Sequence, residues 1–315
     1  MISEKIVVGA GSKYPLKGLL TLPDRIDGPV PAVVLVHGSG SSNMDEKVGK
    51  LTPFKDLAEG LARHGIASIR YNKRTYTHGL KMILRKGEPI TVKEETVDDA
   101  ILAAELLRKD KRIDPERIFI IGHSMGAMLA PRIDAEGGNF AGLILLAGSP
   151  RKLEEIMADQ VAESLASMKG LVRKIAEKQT GPLLASFEGM YDLTDEEAKA
   201  KKMGNGTTLY YFKEMGEHPA AEYLLSLNKP ILIAQGEKDF QATVDRDFLA
   251  YQELLKDKEN VTFKLYENLN HAFVPSVYGI ITKAKQEYKV EQHIGGEVIS
   301  DIANWILTAS EPGKE

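Results

Sequence analysis

The chain has 315 residues, 43% of them apolar, enough for one core plus an insertion. Its 41 basic and 45 acidic residues leave a formal charge of −4, which offers neither a basic face for nucleic acid nor a polybasic membrane contact. There is no cysteine, so disulfides, thiolate zinc sites and a cysteine nucleophile are excluded.

The first apolar run, Ile6 to Val8, is too short for a secretory signal, and no stretch approaches the ~20 apolar residues of a membrane span. A cytoplasmic protein is the expectation. Residues 6–9 and 18–22 read as early strands around the turn-rich "GSKYPLK". Pro31 leads into "AVVLVHGSG", whose continuous apolar run suits a strand buried on both faces. Residues 54–65 have helical spacing at Phe54, Leu57, Leu61 and Ala62, with Gly65 as the stop. A strand over 66–71 follows. Residues 96–110 then form a helix with an acidic first turn and a basic last turn, as the helix dipole favours. "RIFIIG" is a strand, the segment after Ser124 a helix, and 141–148 a strand again.

Buried strands alternating with amphipathic helices predict a mostly parallel α/β sheet flanked by helices. The alternation stops after Pro150. Residues 150–212 carry charged helical stretches and no strand-like run, so they read as an insertion between core segments 1–149 and 213–315. The pattern resumes with a strand at 231–235, a helix around 246–255, the strand "VTFKLYE" and a last helix near 297–307.

"FIIGHSMGAML" ends a strand at Gly122-His123-Ser124-Met125-Gly126 and begins a helix. Glycines on both sides keep Cβ atoms out of a sharp turn from which a serine hydroxyl can project as a nucleophile. Taken alone, such a match is cheap in a chain with 28 glycines. Serine also needs a base. Of seven histidines, His37 and His123 sit inside the motifs and suit supporting roles, and His64 ends a helix. His78, His218 and His293 lie in polar connections. His271 follows "VTFKLYE" in the loop "NLNHAF", at the carboxyl edge of the sheet with Ser124. Asp239, in "QGEKDFQATV" after the strand 231–235, is the acid to orient it, ahead of Glu237 and Asp245. The order Ser124, Asp239, His271 is the chain order of this architecture. The oxyanion needs backbone N–H donors. Met125 is one, and Ser39 in "HGSGSS" the second, with Gly38 its alternative. A phosphate-binding loop is disfavoured there, since neither the P-loop lysine nor G-x-G-x-x-G is present.

With "HGSG", "GHSMG", "QGEKDFQ" and "NLNHAF" in place, the sequence resembles the α/β-hydrolase superfamily. Within it, the similarity is to bacterial carboxylesterases related to the cinnamoyl/feruloyl esterases and to prolyl-oligopeptidase-like hydrolases. "RYNKRT" and "ISDIANWI" resemble the same group, and the likeness covers most of 6–149 and 218–307. Over the insertion the resemblance implies a helical cap. Asn72 departs from the Tyr-Asp-Lys-Arg often found in that group and removes a charge beside Lys73 and Arg74. Those two read either as a solvated loop or as part of the active-site entrance.

The insertion holds Met157, Met168, Met190 and Met203 with Tyr191, Tyr210, Tyr211 and Phe212. Core contact is the expectation for Met157 and Met168. "TTLYYFKEM" is the candidate for substrate contact through Tyr210 and Tyr211, with His123 beside the nucleophile a third candidate. The reading is a serine carboxylesterase acting on small to medium acyl esters, with no metal or organic cofactor. A small serine aminopeptidase and an acyl-CoA thioesterase are its competitors, the latter drawing on Lys73, Arg74, Arg85 and Lys86 to hold a phosphorylated nucleotide. The residues before Ala32 leave no room for the propeller of an oligopeptidase. From another class, a binding protein on a hydrolase scaffold is disfavoured by the complete set of three residues. The last helix or the early strands could pair two copies as a homodimer, though no motif says so. The role of 276–296 is open.

Overall fold

The computed structural model describes residues 1–83, 90–203 and 207–309. Arg85 and Lys86 lie outside the described residues. Eight strands among them form one sheet: β1 Ile2–Val8, β2 Leu16–Leu22, β3 Val30–Val36, β4 Ala67–Tyr71, β5 Ile113–His123, β6 Leu143–Leu146, β7 Ile231–Gly236 and β8 Val261–Tyr266. Their spatial order is β1-β2-β4-β3-β5-β6-β7-β8. Strands β4, β3, β5, β6, β7 and β8 are parallel, and β2 runs against β1 and β4. The chain is therefore an α/β protein with a mostly parallel sheet.

The strands have period-two side-chain alternation, and both faces are apolar, so each face needs a cover. Val33, Leu35, Phe119, Ile121, Ile144 and Leu232 pack on one face under α1 (Pro53–Arg63) and the last helix, Gly296–Ala309. Val34, Val36, Ile118, Ile120, Leu143 and Ile231 pack on the other, with Asp98–Lys109 and Met125–Ile133. The strand order reverses between β3 and β5. The crevice outside the carboxyl ends at such a switch point is where open α/β sheets bind ligands.

Three features depart from the pattern read in the sequence. Arg74–Ile83 is a helix rather than a loop. The predicted helix 96–110 is preceded by a π-helical turn, Lys93–Val97, that leaves Glu95 buried. Between β6 and β7 the chain is helical as expected, but the division at 212/213 falls inside the helix Leu209–Gly216. That helix and the next, Ala220–Ser226, place Tyr211, Met215, Ala220 and Leu224 in the sheet's own core. By contrast Gly170–Phe187 buries no residue. Among the described residues no helix is long and apolar enough to cross a membrane.

Candidate active site

Ser124 occupies the turn between β5 and the helix Met125–Ile133, with φ 55° and ψ −120°. Non-glycine residues rarely adopt this conformation, and it persists only where the surroundings over-determine it. Here they do. The Ser124 N–H donates to Leu146 O on the neighbouring strand at 2.8 Å, and Ser124 O accepts the helix's first bond from Ala127 at 2.9 Å. The flanking glycines are required by contact. A Cβ on Gly122 would stand 2.2 Å from Gly126 O, and one on Gly126 would stand 2.2 Å from Val36 O.

Asp239 follows β7 and His271 follows β8, so parallel neighbours deliver both to the edge that carries Ser124. His271 Nδ1 lies 2.8 Å from Asp239 Oδ2, which makes Nδ1 the donor and leaves Nε2 as the basic nitrogen. The carboxylate is itself fixed: Gln235 Nε2 also donates to Oδ2 at 2.7 Å, and the N–H groups of Gln241 and Ala242 donate to Oδ1 at 2.8 and 3.1 Å. The competitors face elsewhere. Glu237 accepts from Asn268 N–H and pairs with Lys238, while Asp245 is exposed. The segment 276–296 has a definite task in this geometry. Buried Glu287 accepts from Ser276 Oγ and from the N–H groups of Val277 and Tyr278, and also from Asn270 Nδ2 at 3.1 Å. It thereby ties that connection to the residue before His271.

The loop after β3 meets Ser124 from the other side. A Cβ on Gly38 would lie 3.1 Å from Ser124 Cβ. The Gly38 N–H is already engaged, donating to Glu46 Oε1 at 2.7 Å. Ser39 and Met125 both line the cavity above Ser124. Met125 begins its helix, so its N–H has no acceptor within that helix.

Beneath the loop lies Glu46, which sequence reasoning missed, beside the two motif histidines it read as supporting residues. Glu46 Oε2 sits 2.9 Å from His123 Nδ1, and His123 Nε2 sits 2.8 Å from the backbone oxygen of His271. Nε2 donates to that oxygen, and Nδ1 lies within ion-pair distance of the Glu46 carboxylate, an arrangement that favours the imidazolium. Burial disfavours that charge, but the carboxylate of Glu46 outweighs it and pushes the pKa up to about 9. Glu46 is correspondingly lowered despite its own burial, by the His123 charge and hydrogen bond. His37, also buried, donates its Nε2–H to Asn43 O at 2.9 Å, and burial drops its pKa to about 4.

The "RYNKRT" stretch is not a solvated loop: Thr75 lines the cavity over Ser124, and the residues before it hold the loop after β3. Arg70 Nε donates to Asp45 at 2.9 Å, Asn72 Oδ1 accepts from Met44 N–H at 2.9 Å, and Lys73 N–H donates to Ser42 O at 3.0 Å. Lys73 is 1% exposed, with Nζ 2.8 Å from Gly38 O and 3.5 Å from Glu95 Oε2. Arg74 makes two bonds to Asp99. The stretch is the scaffold of the loop after β3, and Asn72, the departure from the related esterases, holds that loop as a neutral acceptor. No local pattern announces Lys73, because its partners are distant in sequence.

A cavity of about 810 Å³ opens over Ser124 and His271. The insertion supplies most of its apolar wall through Leu153, Ile156, Met157, Leu183, Met203 and Phe212. Met157 therefore faces the cavity and not only the core, a correction to the sequence reading. Of the substrate-contact candidates, Tyr211 lines the cavity. Tyr210 does not: its ring carries Lys199 Nζ at 4.8 Å instead. His123 is likewise behind the nucleophile, not in the cavity wall.

A family model described as alpha/beta hydrolase family matches residues 33–277, most of the chain. The chain belongs to the alpha/beta hydrolase family. Esterase EstD of Thermotoga maritima is 34% identical over 294 residues, covering 93% of this chain; the chain spans 65% of that protein's length. Among solved structures, Est1E from Butyrivibrio proteoclasticus superposes with TM-score 0.57 at 15% identity, covering 97% of this chain and 98% of that one. An esterase of Pyrococcus furiosus gives TM-score 0.57 at 15% identity, covering 98% and 91%. At that identity these two speak for the hydrolase fold alone.

Proposed function

We propose that this hydrolase is a serine carboxylesterase acting on small to medium acyl esters. The observation that carries the reading is Ser124 held strained at the strand-to-helix turn, facing the same cavity as a His271 already bonded to Asp239. Likeness to an esterase at 34% identity supports the ester as substrate class. Ser124 Oγ attacks the ester carbonyl while His271 Nε2 takes its proton. The N–H groups of Met125 and Ser39 receive the developing oxyanion; engagement of the Gly38 N–H by Glu46 favours Ser39 over Gly38. His271 returns the proton to the departing alcohol, leaving an acyl-enzyme. Water, deprotonated by His271, then cleaves it. The helices between β6 and β7 act as the cap that selects the acyl or alcohol part.

Of the four cations the thioesterase reading drew on, Lys73 is buried and Arg74 is paired to Asp99, while Arg85 and Lys86 lie outside the described residues. The test is hydrolysis of p-nitrophenyl esters from acetate to long acyl chains by wild type and Ser124→Ala. Loss of a serine nucleophile costs about 10⁴-fold or more in kcat. A variant that keeps wild-type rates overturns the assignment.

A further inference from the structure

Lys73 is an expensive residue to bury. An ammonium taken out of water must be repaid by charge and hydrogen bonds, and an apolar side chain of similar length would fill the same space at lower cost. The charge is repaid by Glu95 at 3.5 Å and by the oxygen of Gly38 at 2.8 Å. Burial still lowers its pKa, against the opposing pull of Glu95. Glu95 is in turn held by Thr75 Oγ1 at 2.6 Å and by the hydroxyl of Tyr211, in the cavity wall, at 2.8 Å.

What Lys73 touches is one end of the peptide whose other end is Ser39 N–H. A peptide is planar and trans, so its C=O and N–H point in opposite directions. Fixing Gly38 O downward on the ammonium turns the Ser39 N–H up, to the side where Ser39 lines the cavity. A cation on the carbonyl oxygen also polarises the peptide and strengthens its N–H as a donor. Glu46 grips the N–H of the preceding His37–Gly38 peptide, so Gly38 is held on both sides.

We propose that Lys73, held by Glu95, is the positioning residue of the oxyanion hole, fixing and polarising the Gly38–Ser39 peptide so that Ser39 N–H meets the transition-state oxygen. This rests on the esterase reading above. Its signature is selective. Interactions made only in the transition state lower kcat when lost and leave ground-state binding alone.

The experiment compares wild type, Lys73→Met and the doubly neutral Lys73→Met/Glu95→Gln, the second removing any unpaired buried carboxylate. Each is measured for kcat and KM on the preferred p-nitrophenyl ester. Each is also measured for inhibition by a trifluoromethyl ketone of matching chain length, which adds to serine as an oxyanion-bearing hemiketal. The expected result is a fall in kcat of about 10²–10³-fold, the size of losing one oxyanion donor, with KM within threefold. Ketone affinity falls by the same factor, in at least the double variant as a folded protein. A folded variant with kcat and ketone affinity within threefold of wild type overturns the proposal. So does a fall in kcat that ketone affinity does not share, or a change confined to KM. The two failures are distinct. A wild type that neither turns over esters nor binds the ketone sinks the esterase reading and this inference with it; an active, Ser124-dependent wild type with an unaffected double variant sinks only the role of Lys73.

Discussion

The carboxyl edge of the sheet and the helices inserted after β6 form the two walls of one cavity, and they are built in opposite ways. At the edge the candidate residues Ser124 and Asp239 are each held by several bonds. Ser124 is pinned to Leu146, the Ala147 N–H to Ala234, and Asp239 takes four donors at once. In the insertion, Gly170–Phe187 buries nothing and leaves Leu171 72% and Val172 63% exposed. Leu153–Ser167 buries only Ile156. Few buried apolar contacts mean low local stability and tolerance of change. On the esterase reading proposed above, such a division lets the chemistry stay fixed while acyl preference drifts, because the two are carried by separately packed elements.

The largest effect that would test this division comes from the rigid wall. In Asp239→Asn the amide cannot hold the Nδ1–H tautomer of His271, although Gln241 and Ala242 can still anchor its oxygen. We expect kcat to fall by about 10³–10⁴-fold at neutral pH, equally for every acyl chain. A loss that differs between short and long chains would show that the edge also sets specificity.

A smaller effect is expected in the support beneath that wall. The folded-state pKa of His123 is raised to about 9 from an ordinary value of 6.5, by Glu46 against the cost of burial. The stabilisation is therefore complete below about pH 6.5 and is lost as pH rises through 9. The groups facing the ring are the Glu46 carboxylate, the His271 carbonyl and ring, and more distantly the Asp239 charge. The melting temperature of the wild type should decline between pH 7 and 10, and His123→Gln should flatten that decline while lowering stability at pH 6. Parallel pH curves for the two proteins would show that the ring is neutral in the fold.

The contrast between the walls also decides what could be read from sequence. That Ser124, Asp239 and His271 meet at one edge was legible because each stands just past a strand, where topology alone brings distant residues together. The helix Arg74–Ile83 was missed because its apolar residues do not mark a single buried face: Tyr76 and Leu80, a turn apart, are exposed and Met82 is buried. Lys73 read either as solvated or as part of the entrance, because nothing local reveals that its partners are Gly38 and Glu95, far along the chain. His123 read as a substrate contact because sequence places it next to the nucleophile, whereas strand alternation turns its ring away toward Glu46. Tyr210 and Tyr211 are neighbours on one helix, so only one could face the cavity, and helical phase without a partner surface does not say which.

The smallest effect on rate, and the sharpest on preference, is expected in the adaptable wall. Phe212 is half-buried, stacked edge-on against Phe187 and Tyr211 at 5.1 and 5.4 Å, and faces the cavity. Phe212→Ala removes a ring from the acyl wall without touching any group at the sheet edge. Because the site is only partly enclosed, the stability loss should fall short of the ~3–5 kcal/mol of a fully buried phenylalanine. The kcat on the best ester should stay within about threefold, while the ratio of kcat/KM for long over short acyl chains rises by about tenfold, the worth of one or two methylenes gaining a pocket. A variant that loses kcat uniformly across the chain series would mean that Phe212 supports the reacting groups through Tyr211 and Glu95, and the separation of the two walls would then fail at that contact.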